Sequence, residues 1–334
     1  MSVILVTGGM GFIGSNFIHY WRDRHPQDRI INVDWLTYAG NPDNLAAIEE
    51  QAGYQFVYGN ICDTALIHRI MEQGVDVVVH FAAESHVDRS IQNPGAFVLT
   101  NVLGTQSLLE ASRQHQVKKF IHISTDEVYG TLGQEGAFTE TTPLAPNSPY
   151  SASKAGSDLL VRAYYETYGF PAVITRCSNN YGPRQFPEKL IPLIITKALR
   201  DEFIPLYGDG LHVRDWLYVE DHCAAIERII EEALPGEVYN IGSQNERTNI
   251  EVVQYILKEL GKSDDLIQFV PDRLGHDRRY AIDSAKIRRE LGWTPSYSFE
   301  AGMKKTIAWY FQERGLSERI SDGSYRSPKR DEWP

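Results

Sequence analysis

The chain has 334 residues, 42% of them hydrophobic, and 44 acidic against 33 basic side chains leave a formal net charge of −11. That length suffices for one large domain or two sharing a cleft, and the acidic balance excludes a general binder of nucleic acid or membrane surfaces, because no basic field draws phosphates in at long range. Cys62, Cys177 and Cys223 are too few and too scattered for a disulfide framework or a zinc site, so no metal is expected.

Short apolar runs alternate with longer segments of helical period, the signature of parallel βαβ units. In chain order the pattern predicts a strand at 3–6, a helix at 12–24, strands at 30–33 and 55–58, and a helix at 64–72. A strand at 75–81, a helix at 97–115, a strand at 119–123, a helix at 151–168 and a strand at 172–175 follow. The expected fold is α/β, a doubly wound Rossmann-type parallel sheet with a smaller α/β C-terminal substrate domain. After Arg176 the texture turns to Pro- and Gly-rich stretches such as Gly182-Pro183 and Tyr207-Gly208-Asp209-Gly210, and the run 237–242 reads as a strand returning to the main body. The expected division is 1–178 with a returning segment near 213–241, against 179–212 and 242–334. No basic leader precedes the first strand, and no apolar run approaches the roughly 18 residues of a spanning helix. A soluble, cytoplasmic protein is expected, with the polar tail 316–334 a loosely held arm.

The segment Thr7-Gly8-Gly9-Met10-Gly11-Phe12-Ile13-Gly14 sits between a strand and a helix. Glycines there permit a tight turn and close approach of backbone to a pyrophosphate, while the helix start offers unpaired N–H groups. Asp34 ends the next strand, twenty positions after Gly14, where a carboxylate accepts from both ribose hydroxyls and repels a 2′-phosphate; this favours NAD over NADP. Tyr150 and Lys154 form an i, i+4 pair on one helix face, so the ammonium is expected to lower the phenol toward working pH. Ser124-Thr125-Asp126-Glu127 follows the apolar run Phe120-Ile121-His122-Ile123. Acids just after Ser or Thr are an ordinary helix-start pattern. Here they also leave the carboxyl end of a central strand, where such sheets place ligands, and crowded carboxyls titrate apart into an acid and a base.

These residues carry a resemblance. The stretch from Val3 to about Tyr310 resembles the dTDP-glucose 4,6-dehydratases, extended members of the short-chain dehydrogenase/reductase superfamily, in Thr37-Tyr38-Ala39-Gly40-Asn41, in 81–90, in Ser124-Thr125-Asp126-Glu127-Val128-Tyr129-Gly130, in 176–183, in 187–192, in 213–219 and in 273–277. The resemblance implies an NAD-dependent hydro-lyase that converts dTDP-glucose to dTDP-4-keto-6-deoxyglucose in deoxysugar synthesis, such as that of dTDP-rhamnose, by oxidation at sugar carbon 4, elimination across carbons 5 and 6, and return of hydride to carbon 6. It implies Tyr150, assisted by Thr125 and Lys154, at the 4-hydroxyl, Glu127 as base at carbon 5 and Asp126 as acid at the departing 6-hydroxyl. NAD would be held by Gly8, Gly11, Phe12, Ile13, Gly14, Asp34, Thr37, Asn60, Ile61, Phe81, Ala82, Ala83, Thr100 and Ser178, together with Tyr150 and Lys154. Substrate contacts would be Ser85 and Asn179 at the sugar, Lys189, Leu190, Pro205 and Tyr207 toward thymine, and Arg214, Asn249, Arg273 and His276 at the diphosphate, with Thr125 and Glu188 also among them. A homodimer through the helices 97–115 and 151–168 is implied. One departure stands out: Gly59-Asn60-Ile61 replaces the family's Gly-Asp-Ile at the adenine end, an amide for a carboxylate. A UDP-glucose 4,6-dehydratase, a 4-epimerase and a non-catalytic NAD- or sugar-nucleotide-binding regulator of the same fold remain open here.

Overall fold

The computed structural model describes residues 1–272, 274–313, 315, 319 and 325. Its first half runs β1 (Val3–Thr7), α1 (Phe12–Arg24), β2 (Arg29–Asp34), β3 (Tyr54–Tyr58), α2 (Thr64–Met71), β4 (Val77–His80), α3 (Val87–Gln92), α4 (Pro94–Phe97), α5 (Thr105–Gln114), β5 (Lys119–Thr125), α6 (Pro149–Tyr168) and β6 (Ala172–Cys177). The second half adds β7 (Asn179–Tyr181), α7 (Leu190–Leu199), β8 (Ile204–Tyr207), β9 (Val213–Tyr218), α8 (Val219–Glu232), β10 (Val238–Ile241), β11 (Glu246–Thr248), α9 (Asn249–Glu259), β12 (Ile267–Val270), α10 (Ala285–Leu291) and α11 (Phe299–Gln312).

Seven parallel strands form the main sheet in the order β10-β6-β5-β4-β1-β2-β3. Both faces are covered, and the side chains of β1 show how: Ile4 and Val6 enter one apolar core while Leu5, on the other side of the pleat, enters the second. The returning strand at 237–242 is β10, paired with β6. A separate core gathers Ile191, Ile194 and Ile195 of α7, Trp216 and Tyr218 of β9, Val252 and Ile256 of α9, and Phe299 of α11. The α10 side chains Ile287 and Leu291 pack instead into the main body.

Most differences from the expected elements have local causes. Helix α6 starts at Pro149 because Ser148 caps it: the Ser148 hydroxyl accepts from the Ser151 N–H, and the Ser151 hydroxyl accepts from the Ser148 N–H. The single helix expected at 97–115 contains a wider π-type turn at Val98–Gly104 before α5 begins. Strand β5 runs on to Thr125, two residues beyond expectation, by pairing Ser124 and Thr125 with Arg176 and Cys177 of β6. That extension sets where Asp126 and Glu127 emerge.

Candidate active site

The strand order reverses between β1 and β4, the switch point at which open α/β sheets leave a crevice beyond their carboxyl ends. A cleft of about 300 Å³ lies there, its wall running from the Gly8–Gly14 turn past Asp34, Asn60, Phe81 and Thr125 to Ser178 and Lys189. All of the residues expected to hold NAD line it, Thr37, Ile61, Ala82, Ala83 and Thr100 among them.

The glycine turn is shaped as a cradle. Gly8 has φ +74°, and a Cβ there would meet the Ala82 backbone nitrogen at 2.6 Å; a Cβ on Gly14 would meet the Gly8 carbonyl oxygen at 2.4 Å. Gly11 precedes α1 with no side-chain cap, and no acid stands in the first turn, so the helix-start N–H groups face the cleft ready for an anion. Asp34 accepts from the Met10 N–H at 2.9 Å and the Leu36 N–H at 2.8 Å. Burial raises its carboxyl to about 6 against those two hydrogen bonds, which leaves it anionic near neutral pH with lone pairs for hydroxyl donors. The residues present therefore fit a dinucleotide with a free 2′-hydroxyl. Asn60 accepts from the Cys62 N–H at 2.9 Å, so the amide that departs from the family pattern makes a turn contact a carboxylate would also make.

Tyr150, Lys154, Thr125 and Glu127 meet at the other end of the same wall. Thr125 does what the helix-start pattern suggests, since its hydroxyl accepts from the Glu127 N–H at 3.3 Å and caps a short turn at Asp126–Tyr129. It also joins the two halves of the site, bonding to the Tyr150 phenol and donating to Asp126 Oδ1 at 3.3 Å. Asp126 lies just beneath the wall, 1% exposed, and its Oδ2 has no partner among the described residues. Burial first, then the charges of Glu127 and Asp215, push its carboxyl far above the usual range, with Arg214 opposing. Of the two acids, Asp126 is thus the one whose surroundings favour the protonated form.

The phenol is not lowered as expected. Burial and then the Glu127 carboxylate push Tyr150 well above its ordinary value, while Lys154 directs its Nζ to the Ile123 carbonyl at 2.7 Å. Burial brings Lys154 itself down to about 8, opposed by Asp158 and Cys177.

The expected substrate residues fall into two groups. Ser85, Asn179, Glu188 and Lys189 line the cleft with Thr125; Asn179 Oδ1 and Glu188 Oε1 are shielded and lack a partner among the described residues, while Lys189 donates to the Ser85 carbonyl at 3.1 Å. Leu190 opens α7 directly after Lys189. Outside that wall, Pro205 and Tyr207 belong to β8, and His276 stacks on His212 at 3.7 Å with the Tyr207 ring at its edge. Asn249 starts α9, buried, with its N–H on the His212 carbonyl and its Oδ1 unpartnered among the described residues. Arg214 donates to the Asp277 carbonyl at 2.9 Å and lies 4.5 Å from the Tyr280 ring centroid. Arg273 lies outside the described residues.

Sequence reasoning missed Tyr280, a buried phenol bonded to Asp277 and pushed up by burial and then by Glu127. It also missed Tyr38 and Phe186, whose rings meet edge to face at 5.7 Å in the cleft wall. Tyr325, from the tail expected to be loose, donates to the Tyr38 carbonyl and packs at 6.2 Å on Phe186. For Tyr38 the signal was present, since it stands inside the segment 37–41.

Comparison with known proteins places this geometry. Residues 5–306 match the family model described as GDP-mannose 4,6 dehydratase. A dTDP-glucose 4,6-dehydratase of Xanthomonas campestris pv. campestris is 54% identical, over 98% of each chain. The crystal structure of DesIV, the dTDP-glucose 4,6-dehydratase of Streptomyces venezuelae with NAD and TYD bound, superposes with a TM-score of 0.93 at 49% identity, covering 95% of this chain and 99% of that one. A UDP-glucose 4-epimerase from Thermotoga maritima with UDP-glucose gives a TM-score of 0.87 at 31% identity, covering 93% and 99%. By sequence and by architecture alike, the chain belongs to the dTDP-glucose 4,6-dehydratase family of extended short-chain dehydrogenases/reductases.

Proposed function

We propose that this chain converts dTDP-glucose to dTDP-4-keto-6-deoxyglucose and water for deoxysugar synthesis, using NAD that it regenerates in each cycle. One observation carries the reading: the Tyr150 phenol, the Asp126 carboxyl and the Glu127 N–H all bond to Thr125, and Lys154 lines the same wall of a dinucleotide cleft. An epimerase of this fold uses the first pair and has no task for the second, and a regulator that only binds needs neither.

Gly8, Gly11 and Gly14 with the N-terminus of α1 would hold the pyrophosphate, Asp34 the adenosine ribose, and Ala83, Thr100 and Ser178 the nicotinamide side. Bound there, NAD supplies a reversible two-electron acceptor whose cationic ring favours the ionised form of Tyr150. Tyr150 takes the proton of the sugar 4-hydroxyl, with Thr125 bonded to the phenol and Lys154, one helical turn on, assisting by its positive charge. A ketone at carbon 4 acidifies the hydrogen on carbon 5, which Glu127 removes. Asp126, kept protonated by burial and by Glu127, donates to the 6-hydroxyl so that it departs as water. Ser85 and Asn179 would contact the sugar, Lys189, Leu190, Pro205 and Tyr207 the thymine, and Arg214, Asn249, Arg273 and His276 the diphosphate, for which arginine offers forked, permanently charged donors, with Glu188 a further substrate contact. Residues 1–178 with the returning segment near 213–241 would serve the cofactor and 179–212 with the described residues after 242 the substrate, except that β9 pairs in the three-stranded sheet and packs in the second core, and Ile287 and Leu291 of α10 pack into the main body.

The three cysteines are free thiols, and none of the described helices is long and apolar enough to cross a membrane, which supports a place in the reducing cytoplasm. Mass spectrometry of dTDP-glucose and UDP-glucose after incubation with the purified chain, no cofactor added, tests the whole reading. Loss of water from the thymidine sugar is expected; a changed sugar configuration without water loss overturns it in favour of an epimerase.

Asp34 makes NAD retention pH-dependent. With its carboxyl at about 6, acceptor capacity for the ribose hydroxyls is present above that pH and lost below it. Desalting at about pH 5 should strip NAD that stays bound at about pH 7, and Asp34→Asn should abolish the difference; equal NAD content at both values refutes this role.

The proposed homodimer is supported by an apolar strip along two adjacent helical segments: Val98, Leu99 and Leu103 are 55%, 48% and 50% exposed, and Leu159 of α6 is 57% exposed. Those segments are tied together by the Asn101 amide donating to Ser153 Oγ at 2.8 Å. An exposed strip of that kind marks an association face. Leu103→Glu combined with Leu159→Glu should halve the mass measured by light scattering; an unchanged mass would sink the assignment.

A further inference from the structure

Behind Tyr150 and Lys154 stands a charged cluster that the reaction as described does not use. Asp158, one helical turn after Lys154, is 1% exposed. Its Oδ2 accepts from Arg176 Nε of β6 at 2.8 Å, and its Oδ1 lies 3.4 Å from His122 Nε2 of β5. Arg176 Nη1 donates to the Tyr129 hydroxyl at 2.9 Å, its guanidinium lying 4.9 Å from that ring's centroid, and Tyr129 donates to Asn240 Oδ1 at 2.7 Å. Tyr129 ends the short turn that carries Asp126 and Glu127. A chain of buried polar contacts therefore runs from the helix of the Tyr-Lys pair to the turn of the acid-base pair. Burying two charges costs desolvation that their attraction offsets only with good geometry, and apolar replacements often serve the fold as well. Charge at this place calls for a reason beyond stability.

We propose that Asp158 is a positioning residue for the dehydration: its carboxylate is the counter-charge of Lys154 and, through Arg176 and Tyr129, it holds the Asp126–Glu127 turn in register with Tyr150. The inference rests on the reading under Proposed function. The titratable groups around Lys154 are Tyr150 and Asp158 on its own helix, Cys177 and Arg176 on β6, His122 on β5 and His80 on β4. Burial pushes the Cys177 thiol up to about 12, His122 down to about 4 and His80 well below its ordinary value, so these three are neutral near pH 7. Asp158, kept ionised by His122 and Arg176 against its burial, is the fixed anion among them. With Lys154 already near 8, losing that anion moves its titration further down.

The test follows kcat and KM for dTDP-glucose, using the full chain with NAD, from about pH 6 to about pH 9. Asp158→Asn is expected to leave KM within about twofold, to lower kcat by at least about tenfold near pH 8 and to recover toward pH 6, the alkaline limb moving down by about one pH unit or more. The double variant Asp158→Asn with Arg176→Met removes both buried charges together and should shift the alkaline limb the same way. A folded variant with the wild-type pH profile, or with a loss equal at every pH, overturns the proposal. So does failure of both variants to fold, which would make the cluster purely structural. A wild-type chain that leaves dTDP-glucose intact defeats the dehydration reading itself, whereas an active wild type with indifferent variants defeats this inference alone.

Discussion

Glu127→Gln is expected to abolish water loss while leaving oxidation at carbon 4 intact. Glu127 lines the cleft beside Thr125 and Tyr150, and glutamine keeps its size and hydrogen-bonding reach but accepts no proton from carbon. Removing a general base of this kind lowers turnover by roughly 10²–10⁴-fold. Reduced nicotinamide should then accumulate on mixing with dTDP-glucose, visible by its absorbance, with no loss of water from the sugar by mass. A variant that still eliminates water within about tenfold of wild type removes Glu127 from the role of base.

Asp126→Asn separates the two half-reactions from the other side. Burial and two neighbouring carboxylates disfavour the charge of the Asp126 carboxyl and raise it well above its ordinary value; an asparagine fills the same space and donates an N–H, yet has no proton to give to a leaving hydroxyl. Elimination should slow by roughly 10²-fold or more, and the first appearance of reduced nicotinamide should slow much less. Stopped-flow absorbance compared with rapid-quench mass spectrometry distinguishes the two steps. If both slow equally, Asp126 acts in the oxidation, through Thr125 and Tyr150, and its assignment as the acid is wrong.

The parts of the site legible in the sequence are those whose chemistry is local. The helix expected at 12–24 is α1, Phe12–Arg24, because a glycine turn at its start and a periodic apolar face define it within one segment. The Tyr150–Lys154 spacing and the acids after Thr125 are likewise read from neighbours. The expectation of a phenol lowered by its lysine failed for a tertiary reason: the Ile123 carbonyl on β5 takes the Lys154 ammonium, and burial and the Glu127 charge push the phenol up.

What the sequence by itself determined is the alternation of strands and helices as far as β6, the glycine turn for a dinucleotide and which side chains are candidates for the chemistry, since turns, capping and the i, i+4 rule act over a few residues. The tertiary structure alone decided which carboxyl holds a proton and which charges brace the helix of the Tyr-Lys pair. Asp126 is raised in part by Asp215 against Arg214, the Glu127 charge raises Tyr280, and Asp158 finds Arg176 on a neighbouring strand. Charge interactions and desolvation depend on distance and burial in space, and those distances exist only after β9 and the segment beyond it have folded back over the carboxyl end of the sheet.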